Sequence, residues 1–249
     1  MSWTKPALKL SAAALTLFGA TAALAETIVV RSTGPSAKAY APGKSIADNS
    51  KIALKAGDIL TVLDGRGTRV LKGPGSFSTT AASTATGSSF GQLLRNTGTR
   101  QARTGATRGV GAVAQTRSPN LWYLDVSKSG TICVADTTAV SLWRPASVAG
   151  QSVTLSRVGD NKSASVDFRA GQSVKAWPVA DLPVSDGAQF RISGAGMTAP
   201  SMIKIVALGP NPQGLEGTAS ALIKQGCTAQ LDLLIETVAI PGEESAPSG

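Results

Sequence analysis

Residues 55–77 read KAGDILTVLDGRGTRVLKGPGSF. Their five glycines, Gly57, Gly65, Gly67, Gly73 and Gly75, either cradle a phosphate or turn a chain. The choice separates a nucleotide-binding α/β protein from a β protein. The runs ILTVL and TRVLKG flank Asp64-Gly65-Arg66-Gly67. Two β-rich runs around a four-residue Asp-Gly loop predict a hairpin. Pro74 cannot donate to a ladder, so GPG is expected to end the second strand in a reversal. The dinucleotide fingerprint requires a third glycine where Val70 stands, and a helix where β-like sequence follows. Upstream, APGKS resembles a phosphate loop, but that loop requires glycine where Lys38 stands. The glycines therefore read as turns, and no nucleotide cofactor is expected.

The text around that hairpin carries a family resemblance. LKAGDIL (54–60) and DGRGTRVLKGPGSF (64–77) place a Gly-Asp turn before a strand, then an Asp-Gly hairpin, then a small-residue turn. Residues 40–80 resemble the FecR-type β module of bacterial periplasmic proteins. FecR proteins proper carry a membrane anti-sigma segment, which this sequence does not match. The resemblance thus implies a small periplasmic β scaffold rather than a signalling role. With TIVVRS (27–32) as a first strand, the module is expected to span residues 26–85.

Residues 1–25 have the layout of a secretory signal peptide. Lys5 and Lys9 precede the apolar LSAAALTLFGATAAL, and Ala23-Leu24-Ala25 fits the small-x-small cleavage pattern. Cleavage is expected after Ala25, delivering the chain to the periplasm. The absence of cysteine near the cut does not indicate a lipid anchor. No later stretch reaches the roughly 18 apolar residues of a membrane span. Losing Lys5 and Lys9 lowers the formal net charge from +9 to +7.

Residues 86–118 hold Arg95, Arg100, Arg103, Arg108 and Arg117 and no acidic residue. Gly, Thr, Ser and Ala dominate the rest, which predicts a basic linker. FGQLLRN inside it is expected to form a helical turn docked by Phe90, Leu93 and Leu94. The arginines read either as solvated tether or as contacts to an anionic envelope surface such as phospholipid, lipopolysaccharide or wall polymer. Nucleic acid is not expected, because no aromatics interleave with the arginines and export removes the chain from it.

Residues 119–208 supply eight strand candidates separated by turn residues: LWYLDV, TICVAD, AVSLWRP, SVTLSRV, ASVDFRA, SVKAWPV, AQFRIS and MIKIVAL. Such spacing predicts an antiparallel β-sandwich. Trp122, Trp143 and Trp177 lie in these runs, either as core or as a carbohydrate platform. Beyond GPNPQG the period changes. Leu215, Ala219, Leu222 and Ile223, then Cys227, Leu231, Leu234, Ile235 and Val238, recur at helical spacing. Two short helices with Gly226 as the intervening cap are expected, ending the domain at 240. Residues 241–249 read as a disordered tail. The fold class is mainly β: a small β module, a basic linker, and an antiparallel sandwich-like domain closed by two helices.

The chain has two cysteines, Cys133 and Cys227. In an oxidising compartment they read as a disulfide. The sequence contains no histidine, which removes Ser-His and Cys-His nucleophiles and most zinc sites. Ser201-Met202-Ile203-Lys204 matches SxxK, but in a strand its serine and lysine face opposite ways. Asp125, Asp136, Asp167, Asp181 and Asp186 fall mostly at strand ends and turns, where aspartate bonds locally. No catalytic residue, metal ligand or cofactor is assigned. The sequence reads as a non-enzymatic envelope scaffold or interaction protein. A glycan- or wall-binding module is the alternative, and a hydrolase of unknown type the third reading.

Overall fold

In strand β1 (Glu26–Thr33), Ile28 and Val30 face one side of the sheet and Val29 the other. That arrangement already requires cover on both faces. The computed structural model describes residues 26–79, 87–95, 117–160, 162–194, 196–209, 212 and 214–245. The expected signal peptide, Arg100, Arg103, Arg108 and residues 246–249 lie outside the described residues.

β2 (Ser45–Ala47), β3 (Lys51–Leu54), β4 (Ile59–Asp64), β5 (Gly67–Lys72) and β6 (Gly75–Ser78) follow. β4 and β5 form the expected hairpin, but Asp64 pairs with Gly67. The loop is thus the two-residue Gly65-Arg66 rather than four residues. The Asp64 carboxylate tightens it, accepting from the Arg66 N–H at 2.9 Å and from the buried Arg69 guanidinium at 2.5 Å.

GPG does not reverse the chain. β6 continues β5 and pairs with β3, with Leu54 opposite Gly75. Because Ile59 is opposite Lys72, residues 55–58 on one arm face only 73–74 on the other. This two-against-four mismatch bends one long hairpin over itself. Gly73 lies so close to the Lys55 carbonyl that a Cβ there would collide with it. The buried Asp58 fastens the bend, accepting from the N–H groups of Ser36 at 2.8 Å and Lys55 at 2.6 Å. The folded-over arms enclose Val29, Ile52, Leu54, Leu60, Val62, Leu71 and Phe77.

The opposite face of this sheet carries Ile28, Val30 and Leu63. They share a core with helices α1 (Gly87–Leu94), α2 (Gly214–Gln225) and α3 (Thr228–Thr237). Burial on both faces explains why ILTVL is a nearly continuous apolar run. The expected boundary between a 26–85 module and a 119–240 domain is crossed by this core. The C-terminus crosses it too. Residues 241–245, expected as tail, belong to strand β15 (Ala239–Ser245), which pairs in parallel with β5. The sheet order is β15-β5-β4-β1-β2, so the exposed hydrogen-bonding edge of β5 supplies the partner that sequence alone does not reveal.

Each of the eight strand candidates yields one strand: β7 (Tyr123–Asp125), β8 (Gly130–Val134), β9 (Ser141–Trp143), β10 (Gln151–Arg157), β11 (Ser163–Phe168), β12 (Val174–Ala176), β13 (Gln189–Gly194) and β14 (Ser201–Ala207). They form sheets ordered β11-β10-β13-β14-β8 and β12-β9-β7, which enclose Leu142, Leu155, Phe168, Phe190, Ile192 and Ile205. The sandwich-like arrangement is mainly antiparallel, with two parallel pairs, β8 with β14 and β7 with β9. The second follows from connectivity: β8 leaves for the other sheet, so β9 returns beside β7 in the same direction. Among the described residues, no helix is long and apolar enough to cross a membrane.

Burial opposes ionisation of Asp58. The hydrogen bonds from Ser36 and Lys55, with the Lys55 charge, outweigh it and hold the carboxyl below its ordinary pKa. A depressed folded-state pKa adds stability above the unfolded value that disappears as pH falls through the folded one. Asp58→Ala is therefore expected to lower the thermal midpoint at pH 7, with the gap from the parent shrinking below about pH 4. Melting curves at both pH values check this; a gap unchanged into acid would refute the ionised role.

Candidate functional site

The helical stripe ending the sequence positions its own cysteine. α2 ends in Gly226 (φ +71), with the Gly226 N–H donating to Ile223 O at 3.1 Å and the Cys227 N–H to Leu222 O at 2.9 Å. This left-handed cap turns the chain so that Cys227 points back beneath the helix it has left. There it bonds to Cys133 of β8, with Cα atoms 5.8 Å apart and a sequence separation of 94. The expected disulfide is present, and both residues are fully buried.

One turn into α3, Gln230 repeats the attachment without a covalent bond. Its Oε1 accepts from the Cys133 N–H at 2.7 Å, and its Nε2 donates to Cys133 O at 2.8 Å and Leu121 O at 2.9 Å. β8 is an edge strand, and the primary amide pairs with its Cys133 backbone groups as a neighbouring strand would. Gln230 is buried with this polar capacity occupied. Sequence reasoning missed it, although it stands three residues after Cys227, on the face of the apolar stripe.

Beside this attachment a cleft of about 350 Å³ opens between β7, β8 and α3. Arg117, Tyr123, Asp125, Lys128, Asp232 and Glu236 line it. Its charges are largely engaged. Arg117 pairs with Glu236 at 3.1 Å, Arg31 with Asp232, and Asp125 accepts from the Ser127 N–H and hydroxyl at 2.9 and 2.7 Å. Burial pushes the Tyr123 phenol above its ordinary pKa. The cleft offers mixed, half-solvated charge suited to polar contacts.

The remaining sequence candidates separate. Trp143 and Trp177 are buried; Trp177 donates to Leu182 O at 2.7 Å and meets Phe190 edge-on. They are core, and the three-tryptophan platform is not assembled. Trp122 is half-buried and borders a recess of about 270 Å³ with Asn120 and Asp136. Ser201 is buried, its hydroxyl donating to Val126 O at 2.7 Å, while Lys204 faces solvent across the strand. The two do not meet. Asp136 accepts from the Thr138 hydroxyl and N–H, which holds its carboxyl below its ordinary pKa, and Asp186 accepts from the Ala207 N–H at 2.9 Å. Lys44 of the phosphate-loop lookalike donates to Ala39 O at 2.6 Å and covers the Tyr40 ring.

The basic segment is not a link between separate bodies. α1 occupies its start, longer than the expected single turn and docked through Phe90, Leu93 and Leu94. The Leu121 N–H donates to Leu93 O at 3.0 Å, and Asn120 Nδ2 to Arg95 O at 2.7 Å. The chain leaves and rejoins one core at adjacent points. Arg95 and Arg117 are both exposed. No protein-family model matches the chain, and no curated protein shows significant sequence similarity to it.

Replacing Gln230 by Leu leaves the Cys133 N–H and C=O at the β8 edge, and the Leu121 carbonyl before β7, without these bonds. The expected loss is about 3 kcal/mol, read as a lower urea midpoint with an unchanged slope. Opening the disulfide by Cys133→Ala with Cys227→Ala is expected to cost about 4.7 kcal/mol in the chain-entropy model for a 94-residue loop. Non-reducing mass spectrometry should find the pair joined; two freely alkylatable thiols in exported protein would refute the bridge.

Proposed function

We propose that the protein is a non-enzymatic, exported component of the bacterial cell envelope that acts as a scaffold or protein-interaction module. The observation that carries this reading is the frame built around Cys133–Cys227: a buried disulfide and the Gln230 attachment hold the helices to β8, and the same helices pack on Ile28, Val30 and Leu63 of the N-terminal sheet. A disulfide fits an oxidising compartment, and the signal-like residues 1–25 fit export to the periplasm with cleavage after Ala25. The FecR-type resemblance of residues 40–80 supports a periplasmic β scaffold. The frame holds the two ends of the basic segment side by side through Leu93, Arg95, Asn120 and Leu121. Arg95 and Arg117 stand at those two ends, and Arg100, Arg103 and Arg108 lie between them in sequence. Their partner is an envelope protein or an anionic envelope surface.

A glycan-binding reading rests on Trp122 alone, because that residue borders a recess with polar neighbours. Loss of binding to wall polymer in Trp122→Ala, with stability retained, would favour it over the protein-interaction reading.

Mild crosslinking in envelope extract followed by purification tests the main proposal. A specific protein partner, absent when the five arginines are replaced by glutamine, is the expected result. Sedimentation with anionic vesicles distinguishes a lipid surface: that binding would weaken as salt rises, since exposed charges are screened within about 10 Å at 0.1 M salt. The mature protein should begin at Glu26 on N-terminal sequencing. Met1 retained on cytosolic protein would overturn the export reading.

A further inference from the structure

Immediately after β9 stands Arg144. It is 7% exposed. Its guanidinium lies over the Phe168 ring at 5.4 Å, and Nε donates to the neighbouring Pro145 O at 3.0 Å. Among the described residues, buried Nη1 has no hydrogen-bond partner. Among the described residues no carboxylate pairs with this cation. Burial pulls its pKa below the ordinary arginine value, yet a guanidinium keeps its proton in proteins. A buried charge without a counter-ion is costly, and an anion relieves that cost.

The surroundings offer a place for one. Arg144 lines a recess of about 240 Å³ together with Val126, Ser147, Gln151, Val153 and Met197. Ser147 Oγ accepts from the Ala149 N–H, and among the described residues neither its own proton nor the Gln151 amide has an acceptor. Gly196 (φ +82) forms part of the wall, and a Cβ there would stand 2.7 Å from the Gln151 amide nitrogen. Donors and apolar groups therefore line one small space, and among the described residues Arg144 is the single cation in the lining.

We propose that this recess binds the carboxylate of a small, partly apolar ligand, with Arg144 as its counter-ion. Arginine presents a planar fork that matches a carboxylate. One cation suits one negative charge better than a dianionic phosphate. Gln151 and Ser147 supply further donors, and Val126, Val153 and Met197 cover the apolar remainder. The same chemistry is carried by a free carboxylic acid and by a peptide C-terminus.

Calorimetric titration of the exported chain, and the NMR resonance of the Arg144 Nε–H, test the proposal with four probes: butyrate, N-acetyl-Ala-Ala, its C-terminal amide, and inorganic phosphate. Saturable binding of butyrate, the free-acid peptide or both is expected, with the amide silent and phosphate weaker. Butyrate binding would show that the carboxylate suffices; binding of the peptide alone would assign the site to chain ends. Arg144→Gln and Gln151→Leu should each weaken binding, the first by about tenfold or more. The comparison of acid with amide on the parent protein needs no variant. No saturable response to either acid at millimolar concentration, equal binding of the amide, preferred binding of phosphate, or undiminished affinity in Arg144→Gln would overturn the site and leave Arg144 as a cation held on Phe168.

Discussion

β8 is the strand on which the two halves of the molecule converge. On one side it pairs with β14 and extends the sandwich sheet. Its other side has no strand, only α3, bonded to Cys133 by both the disulfide and the Gln230 amide. An unpaired strand edge is a liability unless something covers it. Here the covering helix also packs, with α2, against Ile28, Val30 and Leu63 of the N-terminal sheet. One edge is thus protected by the element that joins the sheets. The entropic effect of the disulfide acts on the unfolded chain, while Gln230 satisfies backbone groups of the folded one. The two contributions are distinct even though they meet at one residue.

The sandwich strands were legible because short β-rich runs recur between turn residues, a signal local to about seven positions. The helical pair was legible from apolar residues recurring at helical spacing. Pairing across distance was not. Nothing in AIPGEES announces that it lies beside β5, and no local pattern tells that β8 joins β14 in parallel. The shared core was hidden more deeply. ILTVL looks the same whether its second face meets a partner strand or a helix, so sequence suggested a self-contained module. The 55–77 stretch shows the limit well: turn chemistry identified the hairpin, but whether GPG reverses or bends it depends on the register of β3 against β6.

Among candidate site residues, the cysteine pair was readable from count and compartment, whereas the tryptophans were ambiguous because a strand presents alternate residues to opposite faces. Trp143 and Trp177 fall inward, and Trp122, in the turn before β7, escapes only partly. Gln230 and Arg144 were illegible for opposite reasons. Gln230 sits on an apolar helical face, where a lone amide resembles a tolerated exception. Arg144 follows a tryptophan in a strand, where a long cation normally reaches solvent. Only the packing of Phe168 and Pro145 around it reveals that it does not.

The placement of the basic segment follows from the same core. A linker between independent bodies has ends that move with respect to each other, so charges along it act at variable distance from either body. Here Leu93 and Leu121 sit in one apolar cluster and are bonded to each other through the backbone. The closure entropy of an insertion grows only slowly with its length, about 0.6 kcal/mol per doubling, so a core that fixes both stems tolerates a long excursion. That core is the one closed by Cys133–Cys227. Reduction of the disulfide therefore loosens the same assembly that holds Arg95 beside Asn120.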